Sequence, residues 1–433
     1  MKKLSKNAII NKDKGIIIKI FVSMLMFLYF LINIITNNYS DLNNNIVSIL
    51  VLALSAYLVL ENKNNPKLIL MYLMLAYFNY SIVLDRYLDI SEDAFLNRIH
   101  DDYTLGIAIN CIFVFMIISF LFSKKKKYIV LRNEFVKERN NILIVLVLIL
   151  VLIVIFIFGF DRGNGLGTGR GSVSTIYEYS SILFILAYYY SGKKSGLRNM
   201  ITIILVVFAF QDLIFGGRVT SLQLAIIFFY FNLAHKFKWK YCIIVFFLGI
   251  VLMTMVGIVR GNLATNVSLI GVVQSILKNK FVLDTSTYAF YTSLTFIKVS
   301  AITSLNAKVY MLNQFLISMF LGGSVQNSNL AEYTVQFIQH LGGGILPIYM
   351  SFYLSWFGTL FSAIIANLYT FFASYTTNPV KNLILIFFVS STPRWYLYSP
   401  VPLVRGMMLF LVCYFFLSII DRVVYNVLKR DVL

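Results

Sequence analysis

The chain has 433 residues, 59% of them hydrophobic and 13% charged, with a mean hydropathy of +0.80. A soluble domain carries about a quarter charged residues, so this composition excludes a cytosolic globule. Six prolines among long apolar runs also exclude a disordered or collagen-like chain. The formal charge of +19 does not signal nucleic acid, because no basic stretch is interleaved with aromatics as a nucleic-acid surface requires. It reads instead as the basic bias of membrane-protein loops.

The first apolar run, 15–36, is long and lacks a small-residue cleavage site, so it is expected to remain as a span. Further runs follow at 46–60, 68–84, 104–122, 141–160, 175–191, 200–217, 219–234, 241–258, 347–374, 380–392 and 402–420. The sequence therefore predicts an all-α, polytopic transmembrane bundle of about 12 spans, forming one integral-membrane domain over 1–433. Residues 259–343 read as one large extracytoplasmic loop. Its apolar pieces, such as Val309–Leu321, are too short to cross alone and read as interfacial helices. Two extra spans near 283–300 and 309–324 are the alternative, and they leave the parity unchanged.

Sidedness follows from the basic residues. With the N-terminus inside, the inner segments 1–14, 61–67, 123–140, 192–199, 235–240, 375–382 and 421–433 hold 24 of the 37 Lys and Arg, and Lys19 joins them. Both termini are thus expected to be cytoplasmic. The short outer loops contain no lysine but hold Arg86, Arg98, Arg162, Arg170, Arg218, Arg394 and Arg405, and Arg260 begins the long outer loop. Arginine presents a planar fork that grips phosphate or carboxylate bidentately, whereas lysine is a point charge. Snorkelling to headgroups is the simpler reading of any single one.

Glycine clusters mark the same face: GNGLGTGRG at 163–171, Gly216-Gly217-Arg218, Gly322-Gly323 and His340-Leu341-Gly342-Gly343-Gly344. The first matches no phosphate-loop spacing and reads as a mobile linker. Two acids lie within apolar runs, Glu178 and Asp212, where an unpaired carboxylate costs several kcal/mol. Asp212 is expected to orient an arginine such as Arg218. Glu178 is a candidate base, or a partner for Arg162 or Arg170. The segment 85–103 gathers six of eighteen acids plus His100, which reads as a solvated loop before it reads as a metal site. Cys111, Cys242 and Cys413 all fall in apolar runs, with no disulfide framework or zinc spacing. No metal or other cofactor is expected.

Such a face suits a lipid diphosphate sugar. Diphosphate is already a good leaving group, so catalysis chiefly needs cations where negative charge grows. A base such as His340, Glu178 or Glu332 would take the proton of an acceptor hydroxyl. Tyr349, Trp356, Trp395, Tyr396 and Tyr398 offer faces for sugar stacking, or form an aromatic belt.

The many spans, the large late outer loop, Gly216-Gly217-Arg218, Arg260-Gly261-Asn262 and Pro393-Arg394-Trp395-Tyr396 together resemble the Wzy-type oligosaccharide repeat-unit polymerases of bacterial O-antigen and capsule synthesis. The resemblance covers most of the chain in architecture, on short and degenerate motifs. It implies polymerisation of undecaprenyl-diphosphate-linked repeat units on the outer face of the plasma membrane. It also implies functional roles for Arg218 and Arg260, then for Arg394 and Arg170, while Arg162 and Arg405 join Arg170 as substrate-binding candidates from the outer-face arginine pattern. Implied partners are the lipid-linked oligosaccharide, membrane lipid, a chain-length regulator and a flippase. His340 and the glycines after it loosely resemble the loop histidine of the related O-antigen ligases, although the surrounding pattern departs from theirs. A flippase, a ligase and a metal-dependent membrane glycosyltransferase remain the competing readings. A flippase usually divides into two similar halves, which this chain does not.

Overall fold

A computed structural model describes residues 2–88, 101–124, 128–161, 172–214, 219–249, 285–322, 325–340, 342–373 and 378–430. Apart from a two-residue antiparallel ladder, the fold among these residues is all helical. In chain order the helices are α1 (Lys2–Ile35), α2 (Asp41–Asn62), α3 (Ile69–Leu88), α4 (Asp102–Phe122) and α5 (Ile142–Phe158). Next come α6 (Thr175–Glu178), α7 (Ser180–Ser191), α8 (Ser195–Ile214), α9 (Val219–Phe228) and α10 (Trp239–Gly249). The rest are α11 (Thr285–Ile302), α12 (Leu305–Leu321), α13 (Leu330–Thr334), α14 (Leu346–Ala373), α15 (Pro379–Ser390), α16 (Thr392–Leu397) and α17 (Met407–Arg430).

The seventeen-residue α5 shows why such sequences become helices. Its β-branched composition favours strand in water, but in an apolar medium a lone segment satisfies its backbone only by coiling. Asn141 caps it by accepting from Ile144 N at 3.2 Å, and Gly159 N closes it on Ile155 O at 2.7 Å. Val145, Leu148, Leu152 and Ile155 are buried at helical spacing, while Leu143, Leu146, Leu150 and Phe158 are exposed, Phe158 to 81%. Water rarely meets so continuous an apolar face on a folded protein.

Six helices among the described residues are long and apolar enough to cross a membrane: Ile16–Ile35, Asp41–Asn62, Asp102–Phe122, Ser195–Ile214, Leu346–Phe371 and Pro402–Asn426. The other apolar runs also become helices, but breaks shorten several. Tyr179 separates α6 from α7, Ser391 separates α15 from α16, and a π-helical turn at Phe229–Leu233 ends α9. Within α14, Leu354 and Ser355 leave helical geometry, with Ser355 at φ 53°.

Two helices organise the packing. α4, buried over 83% of its spanning window, touches α1, α2, α11 and α14. α7 is similarly enclosed by α5, α8, α9 and α15. α15 joins the two groups by packing on both α14 and α7. Within 259–343, α11 is wedged between α3, α4 and α14, with Thr287, Thr292, Ser293, Leu294 and Phe296 fully buried. α12 packs one side on α14 and leaves Val309, Leu316 and Phe320 exposed.

The inner segments of the basic-residue count meet at one end. Lys19 of α1 reaches Glu61 of α2 at 2.9 Å and Ser123 Oγ at 2.8 Å. Lys67, fully buried, pairs with Glu134 at 2.8 Å and donates to Asn382 Oδ1 at 2.7 Å. Lys137 pairs with Asp421, and Arg198 donates to Phe231 O. These bonds tie segments distant in the chain to one another in separate groups.

Candidate functional site

At the opposite end lies a polar cavity of about 630 Å³. It is lined by Glu178, Asp212, Glu332, His340, Arg394 and Arg405, together with Thr220, Asn329, Tyr349 and Tyr398. The helix breaks border it: Tyr179, Ser399 and Val401 are all in its wall. Irregular backbone at membrane depth is tolerated where it lines a polar cavity.

Arg394 stands on α16, a six-residue helix between Ser391 and Tyr398. All three guanidinium nitrogens are engaged. Nη1 lies 2.7 Å from Glu178 Oε1, Nη2 donates to Thr220 Oγ1 at 2.8 Å, and Nε donates to Gln223 Oε1 at 3.0 Å. Thr220 and Gln223 fall three apart on α9, hence on one helix face. One arginine therefore joins α6, α9 and α16. The partner of Glu178 among the described residues is Arg394; Arg162 and Arg170, the partners expected from sequence, lie outside them.

Asp212 is buried near the end of α8. Its Oδ2 accepts from both Ser221 N and Ser221 Oγ at 2.9 Å, in the first turn of α9. The carboxylate thus satisfies an N–H that the helix leaves unpaired. This anchors the α8–α9 connection at the cavity wall.

Arg405 sits in a π-helical turn, Pro402–Gly406, that leads into α17. π-turns often mark functional positions, because the extra residue turns a side chain out of register. Its guanidinium carbon lies 5.9 Å from the Tyr179 ring centroid, and its nitrogens stand against Gly322, where a Cβ would come within 3.0 Å. Among the described residues no carboxylate lies within ion-pair reach of Arg405. Gly406 allows this turn to approach α15, since a Cβ there would meet the Phe387 ring at 2.7 Å.

His340 proves to be structurally committed. Gly342 N, which can only donate, points to Nδ1 at 3.1 Å, so the neutral ring carries its proton on Nε2. Nε2 lies 2.9 Å from Thr334 Oγ1, which in turn donates to Leu330 O at 3.0 Å. Burial holds the imidazole pKa below its usual value. With both nitrogens used, His340 has no lone pair to offer an acceptor hydroxyl, which corrects its assignment as catalytic base. The glycines beyond it serve packing: Gly344, at φ 155°, donates to Leu397 O at 2.8 Å and has no room for a side chain beside Phe296. Glu332 accepts from the Asn329 amide at 2.9 Å and lines the cavity.

The aromatic expectations divide. Trp395 and Tyr396 are core residues, not sugar platforms. Trp395 is 1% exposed, stacks on Phe388 and donates to its carbonyl at 3.0 Å. Tyr396 is fully buried, stacks on Phe78 and donates to Asn79 Oδ1 at 2.9 Å. Of the aromatics expected from sequence, Tyr349 and Tyr398 line the cavity, where Tyr179 joins them. Arg162, Arg170, Arg218 and Arg260, like Arg98, lie outside the described residues, as does most of the acidic segment 85–103, while Arg86 falls in the last turns of α3. Asp101 is described: it caps α4 by accepting from Thr104 N at 2.7 Å and pairs with Lys298 at 2.8 Å. No cluster of His, Cys, Asp or Glu suited to a metal occurs among the described residues.

Sequence reading missed Thr220, Gln223, Asn329 and Thr334. The first two carried a signal, a polar pair at helical spacing inside an apolar run directly after Gly-Gly-Arg. No protein-family model matches the chain, and no curated protein or solved structure does either.

Proposed function

We propose that the chain is a bacterial inner-membrane glycosyltransferase that polymerises oligosaccharide repeat units carried on undecaprenyl diphosphate, with the polar cavity as its extracytoplasmic active site. In this reading about twelve spans cross the bilayer and both termini are cytoplasmic. The observation that carries it is the convergence of Arg394, Arg405, Glu178 and Glu332, from distant parts of the chain, on one hollow bordered by broken helices. Ser191 stands at the basic end beside Tyr189 and Tyr190, whose carbonyls accept from Lys137 N and Asn141 N. Glu178, thirteen residues back along α7 and α6, is then about 20 Å higher at helical rise. In a hydrocarbon core about 30 Å thick, the cavity reaches below the outer boundary, where a lipid diphosphate lies.

The chemistry assigns one role to each group. The acceptor hydroxyl attacks the anomeric carbon of the donor sugar, and the bond to the diphosphate oxygen breaks. Polyprenyl diphosphate leaves with the electron pair, and its growing charge is met by Arg405, the guanidinium without a carboxylate partner among the described residues. The hydroxyl proton passes to Glu332. Arg394 and Glu178 form a neutral pair that fixes the wall. The arginines of the same face, Arg162, Arg170, Arg218 and Arg260, complete the anion site in this proposal.

The flippase reading is disfavoured by a second hollow. A groove of about 540 Å³ runs from Val219 toward Lys236 and is lined chiefly by Leu, Met and Phe side chains, a poor path for a hydrated oligosaccharide. Gene deletion followed by mass spectrometry of lipid-linked glycans tests the proposal. Loss of the polymerase leaves single repeat units accessible to an impermeant label from outside. Units retained on the cytoplasmic side indicate a flippase, and long chains still on lipid indicate a ligase. Purified protein should also extend repeat units in the presence of EDTA; abolition by chelator with rescue by Mg²⁺ or Mn²⁺ selects the metal-dependent enzyme.

A further inference from the structure

We propose that a hollow at the basic end binds the phosphate of an anionic phospholipid, one of whose acyl chains lies in the adjoining apolar groove. This inference rests on the chain spanning a bilayer and is independent of the glycan chemistry. The hollow, of about 470 Å³, lies between the α2–α3 connection at Asn64, the segment after α4 at Tyr128, and the start of α10. Lys238, Lys240 and His235 line it, and Lys63 stands 5.7 Å from the Trp239 ring centroid at its edge.

Charge sets this hollow apart from its surroundings. Elsewhere at this end three lysines meet carboxylates: Lys19 meets Glu61, Lys67 meets Glu134 and Lys137 meets Asp421. Among the described residues no carboxylate lines the hollow, and none lies within ion-pair reach of Lys63, Lys238 or Lys240. Burial and the nearby charges of Lys236, Arg132 and Arg198 lower the pKa of His235, as expected where positive charge is uncompensated. The field therefore favours an anion.

Shape narrows the class. The hollow and the apolar groove share Phe237, Lys238 and Tyr241, so a polar mouth opens directly onto a hydrophobic furrow. A soluble phosphate or nucleotide would fill the mouth and leave the furrow bare. An amphiphile fills both, with Trp239 and Tyr241 at the depth where amphipathic rings settle in a membrane. The cations stand at the end opposite the diphosphate cavity, so the occupant is a phospholipid of the leaflet at the basic end.

The test uses the full-length protein in phosphatidylcholine nanodiscs and the fluorescence of Trp239, taken as the difference between wild type and Trp239→Phe. Brominated-chain phosphatidylglycerol should quench this signal at a concentration about 30-fold lower than brominated phosphatidylcholine, with Lys238 and Lys240 contributing about 1 kcal/mol each. Lys238→Gln/Lys240→Gln should erase that preference, whereas Lys193→Gln/Lys194→Gln should keep it. Equal quenching by the two lipids in wild type overturns the proposal. Full competition by glycerol phosphate overturns the acyl-chain half, and stronger competition by polyprenyl phosphate reassigns the groove to the substrate tail.

Discussion

The deep charges at the two ends of this bundle are held differently. At the basic end, Lys19, Lys67 and Lys137 are drawn into short pairs with partners from other segments of the chain, as with Lys67, Glu134 and Asn382. At the cavity end, one arginine is tied down by Glu178, Thr220 and Gln223, while Arg405 rests on a tyrosine ring and a glycine. Paired charge holds helices together; charge left with a free side can act on something else. The contrast teaches that within one chain the same residue type is structural or available according to its neighbours.

The largest expected effect breaks the paired end. Lys67→Met leaves the part-buried Glu134 without its cation, though Tyr128 and Leu131 still donate to it, and removing one partner of a buried ion pair costs up to about 3–5 kcal/mol. Thermal unfolding in detergent should show it, and Lys67→Met/Glu134→Gln should recover part of the loss. An unchanged melting temperature in the single variant would dissolve the contrast from this side.

At the cavity end, Arg405→Lys keeps charge but loses the planar fork. Polymer formation should fall about 100-fold, as when one preorganised donor at a reacting anion is removed, with unfolding unaltered. Normal polymer length would strip Arg405 of its role. Glu178→Gln should be milder, about fivefold, because the pair with Arg394 is partly exposed and such pairs contribute up to about 1 kcal/mol. A hundredfold loss there would make Glu178 the proton acceptor in place of Glu332.

The smallest effect concerns His340. Asn in its place can accept from Gly342 N, so His340→Asn should retain most polymerisation, whereas a true base would be lost with it. The sign of the pH dependence follows from burial. The folded imidazole has a pKa below its usual 6.5, so the unfolded chain binds the proton more readily. Its contribution to stability is present above that value and declines as pH falls through it. Wild type should lose more thermal stability between pH 7 and pH 5 than His340→Asn does.

The helices and the grouping of basic segments were readable from sequence, because lipid forces long apolar runs and loop charge is counted directly. Glu178 and Asp212 stood out in the sequence, since a charge inside an apolar run needs a polar surrounding, and both line the polar cavity. Direction was not readable. In the short α16, Arg394 faces the cavity while Trp395 and Tyr396 turn into the core, and six residues between breaks leave too few turns to show a periodic face. Nor could spacing reveal that a backbone N–H two residues on would occupy Nδ1 of His340. The Arg394–Glu178 pair joins opposite halves of the chain, beyond the reach of local pattern.

Lys67 has a consequence for biosynthesis. Its amide partner, Asn382, follows 315 residues later, so translation exposes the ammonium long before its full cage exists. Until α15 emerges, water must solvate what the mature protein buries, and the first hairpin can be sealed only near the end of translation. A ribosome-stalled chain ending before Pro379 should leave Lys67 open to an amine-reactive probe, and release of the full polypeptide should close it.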